Sequence, residues 1–232
     1  MVILKANTLS KTQGDLKMKK SVKKFMAAVL SLILILAIAI PAFAANPGDE
    51  IVATISVCSR VKEVPSLGHT WIYIHNISDH TLKVGAYDLP VGEGVSVGTF
   101  ANTRDDGRGV YYNVEAHCIN KYNDHDFFSI TKEISASTLE KVSNKILTLN
   151  NWNIFNNCMQ FTFTVWKTAT GQLFANLLFP AFGELQMRLV GARHKNLYMY
   201  YPEAERVYKQ KGSGSSATLA VVKASSLKTP VG

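Results

Sequence analysis

From Ile51 to about Ile134 apolar and polar residues tend to alternate in short runs. Ile51–Val57 alternates in part, and Trp71–His75 (WIYIH) is a compact β-branched and aromatic run. Runs of this length with period two predict strands. The polar stretch His75–His80 reads as a turn and Leu82–Leu89 as the strand that returns from it, so the two make a hairpin. Pro90 with Gly92, Gly94 and Gly98 predicts a loop or a bulged edge, and Asn102–Gly109 (NTRDDGRG) a turn. Val110–Ile119 and Phe127–Ile134 predict two further strands.

The period then changes. Ser137 and Glu140 stand at capping-box spacing, and Leu139, Val142, Ile146 and Leu149 follow on one helical face. Asn156–Thr170 fits two templates. Phe161, Phe163 and Val165 alternate with threonines as in a strand, yet Met159, Phe163 and Trp166 share a helical face and Gly171 is a helix stop. Pro180 to about Arg193 predicts another, weaker helix. Residues 194–211 are polar and rich in tyrosine. From Gly212 the Gly/Ser/Ala/Lys composition predicts a flexible tail over 212–232.

The N-terminus follows a different logic. Residues 18–45 combine a basic start (Lys19, Lys20, Lys23, Lys24), an uncharged apolar run from Phe25 to Ile40, and Ala42-Phe43-Ala44. That is the pattern of a secretory signal cut after Ala44 or Ala45. The rival, a membrane anchor, wants about 20 apolar residues. Residues 1–17 precede the natural signal start at Met18 and read as an over-extended start. The expected product is secreted, with membrane contact only through the signal, and its domain spans 46–211.

Charge changes meaning once the signal is set aside. The chain has 25 Lys and Arg against 17 Asp and Glu, net +8. Residues 1–45 hold seven Lys and one Asp, so the remainder carries 18 basic and 16 acidic residues, net +2. A domain so balanced lacks the basic footprint of a nucleic-acid binder.

Three cysteines, Cys58, Cys118 and Cys158, are an odd number for an exported protein. At least one thiol stays unpaired. Cys58 and Cys118 could pair, leaving Cys158. In Asn156-Asn157-Cys158 an asparagine is a good N-cap, and a helix beginning there puts Cys158 in the first turn. Free N–H groups and the helix dipole there favour a thiolate and can hold an oxyanion. His69, after Gly68 at a strand start, has a suitable pKa to take a thiol proton. Each has a plain alternative: a free cysteine is often a small buried hydrophobe, and a lone histidine a surface residue. Trp71, Trp152 and Trp166 read as core. The remaining histidines show no ligand spacing for zinc, so no metal or other cofactor is expected.

Gly68-His69-Thr70-Trp71 on an early strand, followed by Asn157-Cys158-Met159-Gln160-Phe161 at a later helix start, resembles the circularly permuted NlpC/P60 superfamily of papain-like hydrolases and acyltransferases. The resemblance covers roughly residues 50–200 and is similar to small secreted bacterial members. It implies an α+β fold, with an antiparallel sheet of about five strands packed against the cysteine-bearing helix, and it makes Asn156–Thr170 helical. It also implies that Cys158 attacks a carbonyl and His69 accepts its proton, with a third polar residue orienting the imidazole. Across the expected hairpin that residue falls near 85–88, where Asp88 is the candidate, Tyr87 a second, and Ala86 unable to serve. The expected activity is thiol hydrolysis of an amide or ester, with cell-wall peptides as a natural substrate. The alternatives are an inactive binding module and an acyltransferase or lipid-acting member.

Overall fold

A computed structural model of the chain describes residues 49–60, 68–100, 107–153, 155–175, 180–200 and 202–223. The signal segment 18–45 and residues 1–17 lie outside these.

Ten strands and four helices follow one another as β1 (Ile51–Arg60), β2 (His69–Asn76), β3 (Leu82–Val84), β4 (Tyr87–Leu89), β5 (Gly94–Phe100), β6 (Gly109–Tyr112), α1 (Val114–Tyr122), β7 (Phe128–Ser135), α2 (Ala136–Thr148), α3 (Cys158–Thr170), α4 (Pro180–Leu189), β8 (Arg193–His194), β9 (Tyr208–Lys211) and β10 (Thr218–Val221). Eight strands form one sheet in the order β10-β9-β6-β5-β2-β1-β7-β8, and every neighbouring pair is antiparallel. The architecture is α+β, with a sheet larger than the five strands expected.

The central strands are covered on both sides, so side-chain alternation sorts residues between two cores. On one face Val57, Ile72, Ile74, Val95 and Val97 pack under Met159, Phe161 and Trp166 of α3 and Val142 and Ile146 of α2. On the other, Cys58, Trp71 and Tyr73 pack against Ala116 and Ile119 of α1. α2 and α3 start as sequence predicts helices to start, although the cap of α2 is Ser135, not Ser137. Its hydroxyl accepts from the Thr138 N–H at 3.3 Å. Asn157 caps α3, accepting from Met159 N–H at 3.0 Å and Gln160 N–H at 3.2 Å. Gly171 closes α3 at φ 69°, a conformation that favours glycine.

Four expectations are corrected. Leu82–Leu89 does not return along β2. It folds on itself as the small hairpin β3–β4, and the partners of β2 are β1 and β5. The glycine-rich Gly94–Phe100 is a fully buried strand, not a loop. Val110–Ile119 is not one strand, because Asn113 adopts a left-handed φ of 66° and turns the chain from β6 into α1. Residues 212–223 are not a tail. β9 and β10 form a hairpin that extends the sheet beyond β6, and Val222 after it is buried.

Candidate active site

Three elements converge at the end of β2 where His69 begins the strand. Thr70, Ile72 and Ile74 point to the α3 face, while His69, Trp71 and Tyr73 point to the α1 face. Cys158 is the first residue of α3 and reaches the ring from one side of the sheet. Glu115, in the first turn of α1, reaches it from the other. The imidazole is clamped by stacking on Phe100, with ring centroids 4.7 Å apart, and on Trp71 at 5.8 Å.

His69 Nε2 lies 3.0 Å from Glu115 Oε1, and both side chains are buried, 2% and 1% exposed. A carboxylate can only accept here, so Nε2 carries the hydrogen and Nδ1 is the basic nitrogen of the neutral ring. Nδ1 is buried and has no hydrogen-bond partner among the described residues. The second carboxylate oxygen is held too. Ser96 Oγ donates to Glu115 Oε2 at 2.9 Å and accepts from the Ala116 N–H at 3.2 Å. The Asn113 N–H donates to the Ser96 carbonyl at 2.8 Å, which fixes the corner from which α1 springs. Gly98 leaves the room this requires. A Cβ there would overlap Glu115 Oε1 and press on His69 Nε2.

The electrostatics follow from these contacts. Burial would push the Cys158 thiol up. The charge of His69 beside the sulfur, aided by the neighbouring Thr70, outweighs burial and holds Cys158 below its ordinary value. Burial would lower His69, but the sulfur's charge, then the Glu115 bond and charge, raise it. The pair therefore favours thiolate and imidazolium. Cys58 shows what burial does without a cationic partner: it is pushed well up, by desolvation and then by Glu115. No disulfide joins Cys58 to Cys118.

The cap of α3 engages Met159 and Gln160 and leaves the N–H of Cys158 itself outside it. A first-turn N–H beside the sulfur is where an oxyanion donor is needed.

Of the three residues expected from sequence, Cys158 and His69 are brought together and Asp88 is not. Asp88 is 64% exposed on β4 and ion-paired with Lys83 at 2.6 Å. Tyr87, the second candidate, accepts from the Arg206 guanidinium at 3.0 Å and stacks on Tyr112. The place at Nε2 belongs to Glu115, which sequence reasoning had put in a strand. Two signals pointed to it: Asn113 as a residue that tolerates a left-handed corner, and an acidic side chain two positions on, suited to a first helical turn. A groove of about 450 Å³ between β3 and α2 is lined by none of the three site residues.

Comparison with known protein families, with curated proteins and with solved structures finds no match to this chain.

Proposed function

We propose that this protein is a secreted papain-like thiol hydrolase of the permuted NlpC/P60 kind, with Cys158 as nucleophile, His69 as base and Glu115 as the residue that orients the imidazole. The observation that carries the reading is a thiol held down by a histidine whose far nitrogen is bonded to a buried carboxylate. Structural cysteines lack that arrangement, and an activated nucleophile needs it.

In the reaction the Cys158 proton passes to His69 Nδ1 and the sulfur attacks the carbonyl carbon of an amide or ester. The developing oxyanion lies near the Cys158 N–H. The C–N or C–O bond breaks, the leaving group takes the proton from His69, and a thioester remains on Cys158. Water then gives a proton to His69 and attacks the thioester, releasing the acid and restoring the thiol. Glu115 keeps the hydrogen on Nε2 throughout, so that Nδ1 faces the chemistry. The export signal at 18–45 makes cell-wall peptides an available substrate class. A second acceptor in place of water would make the same site an acyltransferase.

One observation favours a non-catalytic binding module instead: Cys158 and His69 are only 5% and 2% exposed. Intact-mass analysis after incubation with a panel of activated esters and peptide amides separates the readings. The hydrolase forms an acyl adduct on Cys158 that is absent from Cys158→Ala. A chain that never acylates is the binding module.

A further inference from the structure

Behind the nucleophile, on the α3 face, the apolar core gives way to hydroxyls. Ser59 on β1 pairs directly with Thr70 on β2. Thr99 on β5 continues the row, two positions beyond the last paired residues Ile72 and Val97. Thr162 stands one turn after Cys158 on α3. All four are buried, at 1% exposure or less, and none of their hydroxyls has a hydrogen-bond partner among the described residues. Buried hydroxyls are normally partnered, and leaving one unsatisfied is costly. Four at one level of three adjacent strands and the facing helix are a poor choice for packing alone, where valine or alanine would fill the space. Thr70 is on the face of β2 that packs against α3, whose first residue is Cys158, and its N–H and unpartnered hydroxyl help to hold the Cys158 thiol down.

We propose that Thr70 is a hydrogen-bond donor to the Cys158 thiolate, and that Ser59, Thr99 and Thr162 give the sulfur a polar lining on the side away from His69. The nucleophile is then stabilised from both faces of the sheet: by a cation on the α1 face and by neutral donors on the α3 face. This rests on the thiolate–imidazolium reading above and adds to it a donor that carries no charge and does not titrate. Among the described residues, the ionisable groups facing the sulfur are His69 from β2 and, beyond the ring, Glu115 from α1. Arg60, opposite His69 on β1, is turned to Asp124 at 2.7 Å.

The role of a neutral donor is separable from that of His69. Thr70→Val keeps the shape and removes the hydroxyl, whereas Thr70→Ser keeps the hydroxyl and loses a methyl. The rate of iodoacetamide alkylation at Cys158 is followed against pH in the wild type, both Thr70 variants and His69→Ala. Losing a hydrogen bond to a charged sulfur should slow alkylation at about pH 6 by roughly tenfold in Thr70→Val, with recovery to within about threefold of wild type in Thr70→Ser. If Thr70→Val does not fold, Thr162→Val is read instead and should slow alkylation by about threefold. A profile unchanged in the valine variant while His69→Ala loses its low-pH reactivity overturns the donor role and leaves the dyad standing. A wild-type profile like that of an ordinary thiol overturns both. Equal slowing by serine and valine overturns the donor role as well, because it points to packing.

Discussion

His69 Nε2 and Glu115 Oε1 meet at 3.0 Å across the interior of the protein, one from the first residue of a strand and the other from the first turn of a helix. The contact fixes which nitrogen of the ring is basic, and so the direction in which a proton can move. Glu115→Gln keeps the size of the side chain but can present its amide N–H to Nε2, which favours the opposite tautomer. Turnover is expected to fall by about 10²–10⁴-fold. Asp88→Asn, at the exposed residue, should leave activity unchanged and stability within about 0.5 kcal/mol. Steady-state rates and urea denaturation of the two variants check this directly.

Gly98 is required by the same contact. Any side chain there displaces the Glu115 carboxylate, so Gly98→Ala should cost about 1–3 kcal/mol of stability through overpacking, along with most of the activity. Denaturation midpoints together with alkylation rates distinguish this from a purely local effect, because the loss of thiol reactivity should accompany the loss of stability.

Ser96 supports the carboxylate from behind. Ser96→Ala leaves Glu115 Oε2 and the Ala116 N–H without the hydroxyl that joins them, and is expected to destabilise by about 1–3 kcal/mol. The pH profile should move as well, since a less restrained carboxylate holds His69 less firmly.

The pH dependence has a definite sign. Cys158 is held below the ordinary thiol value and His69 is raised above its own, so the ion pair exists between the two. Reactivity should rise as pH climbs through the depressed thiol value, well before the ~8.5 of a free cysteine. Turnover should fall again as pH climbs through the raised histidine value, because the leaving group then lacks its acid. A bell-shaped rate profile is the expected result for the wild type, and in His69→Ala the onset of Cys158 reactivity should move up to the ordinary thiol value.

The elements that sequence revealed are those whose pattern is set by one buried face. β1, β2 and β7 alternate or carry β-branched and aromatic runs, and α2 and α3 carry apolar stripes with asparagine or serine caps. The missed elements are shaped by close contacts between distant residues. β5 resembles a loop because Gly94 and Gly98 make room for the Tyr73 ring and the Glu115 carboxylate, whose positions depend on the finished fold. α1 is hidden because Val110–Tyr112 leads into it through a single left-handed asparagine, with no break in hydrophobicity. β9 is short and polar and is held by pairing with β6, and the short β10 pairs in turn with β9. Asn113 and the acidic residue two positions on hint at the corner, but the role of Glu115 also depends on the gap at Gly98, which neither period nor composition reveals.

The most direct test is the pH dependence of alkylation at Cys158, read site by site by mass spectrometry, in the wild type and His69→Ala. A thiolate–imidazolium pair predicts alkylation with an apparent pKa well below that of a free thiol (~8.5), restored to the ordinary value when His69 is removed. A Cys158 that titrates as an ordinary thiol in both proteins, or reacts in neither, would contradict the nucleophile and leave the binding-module reading.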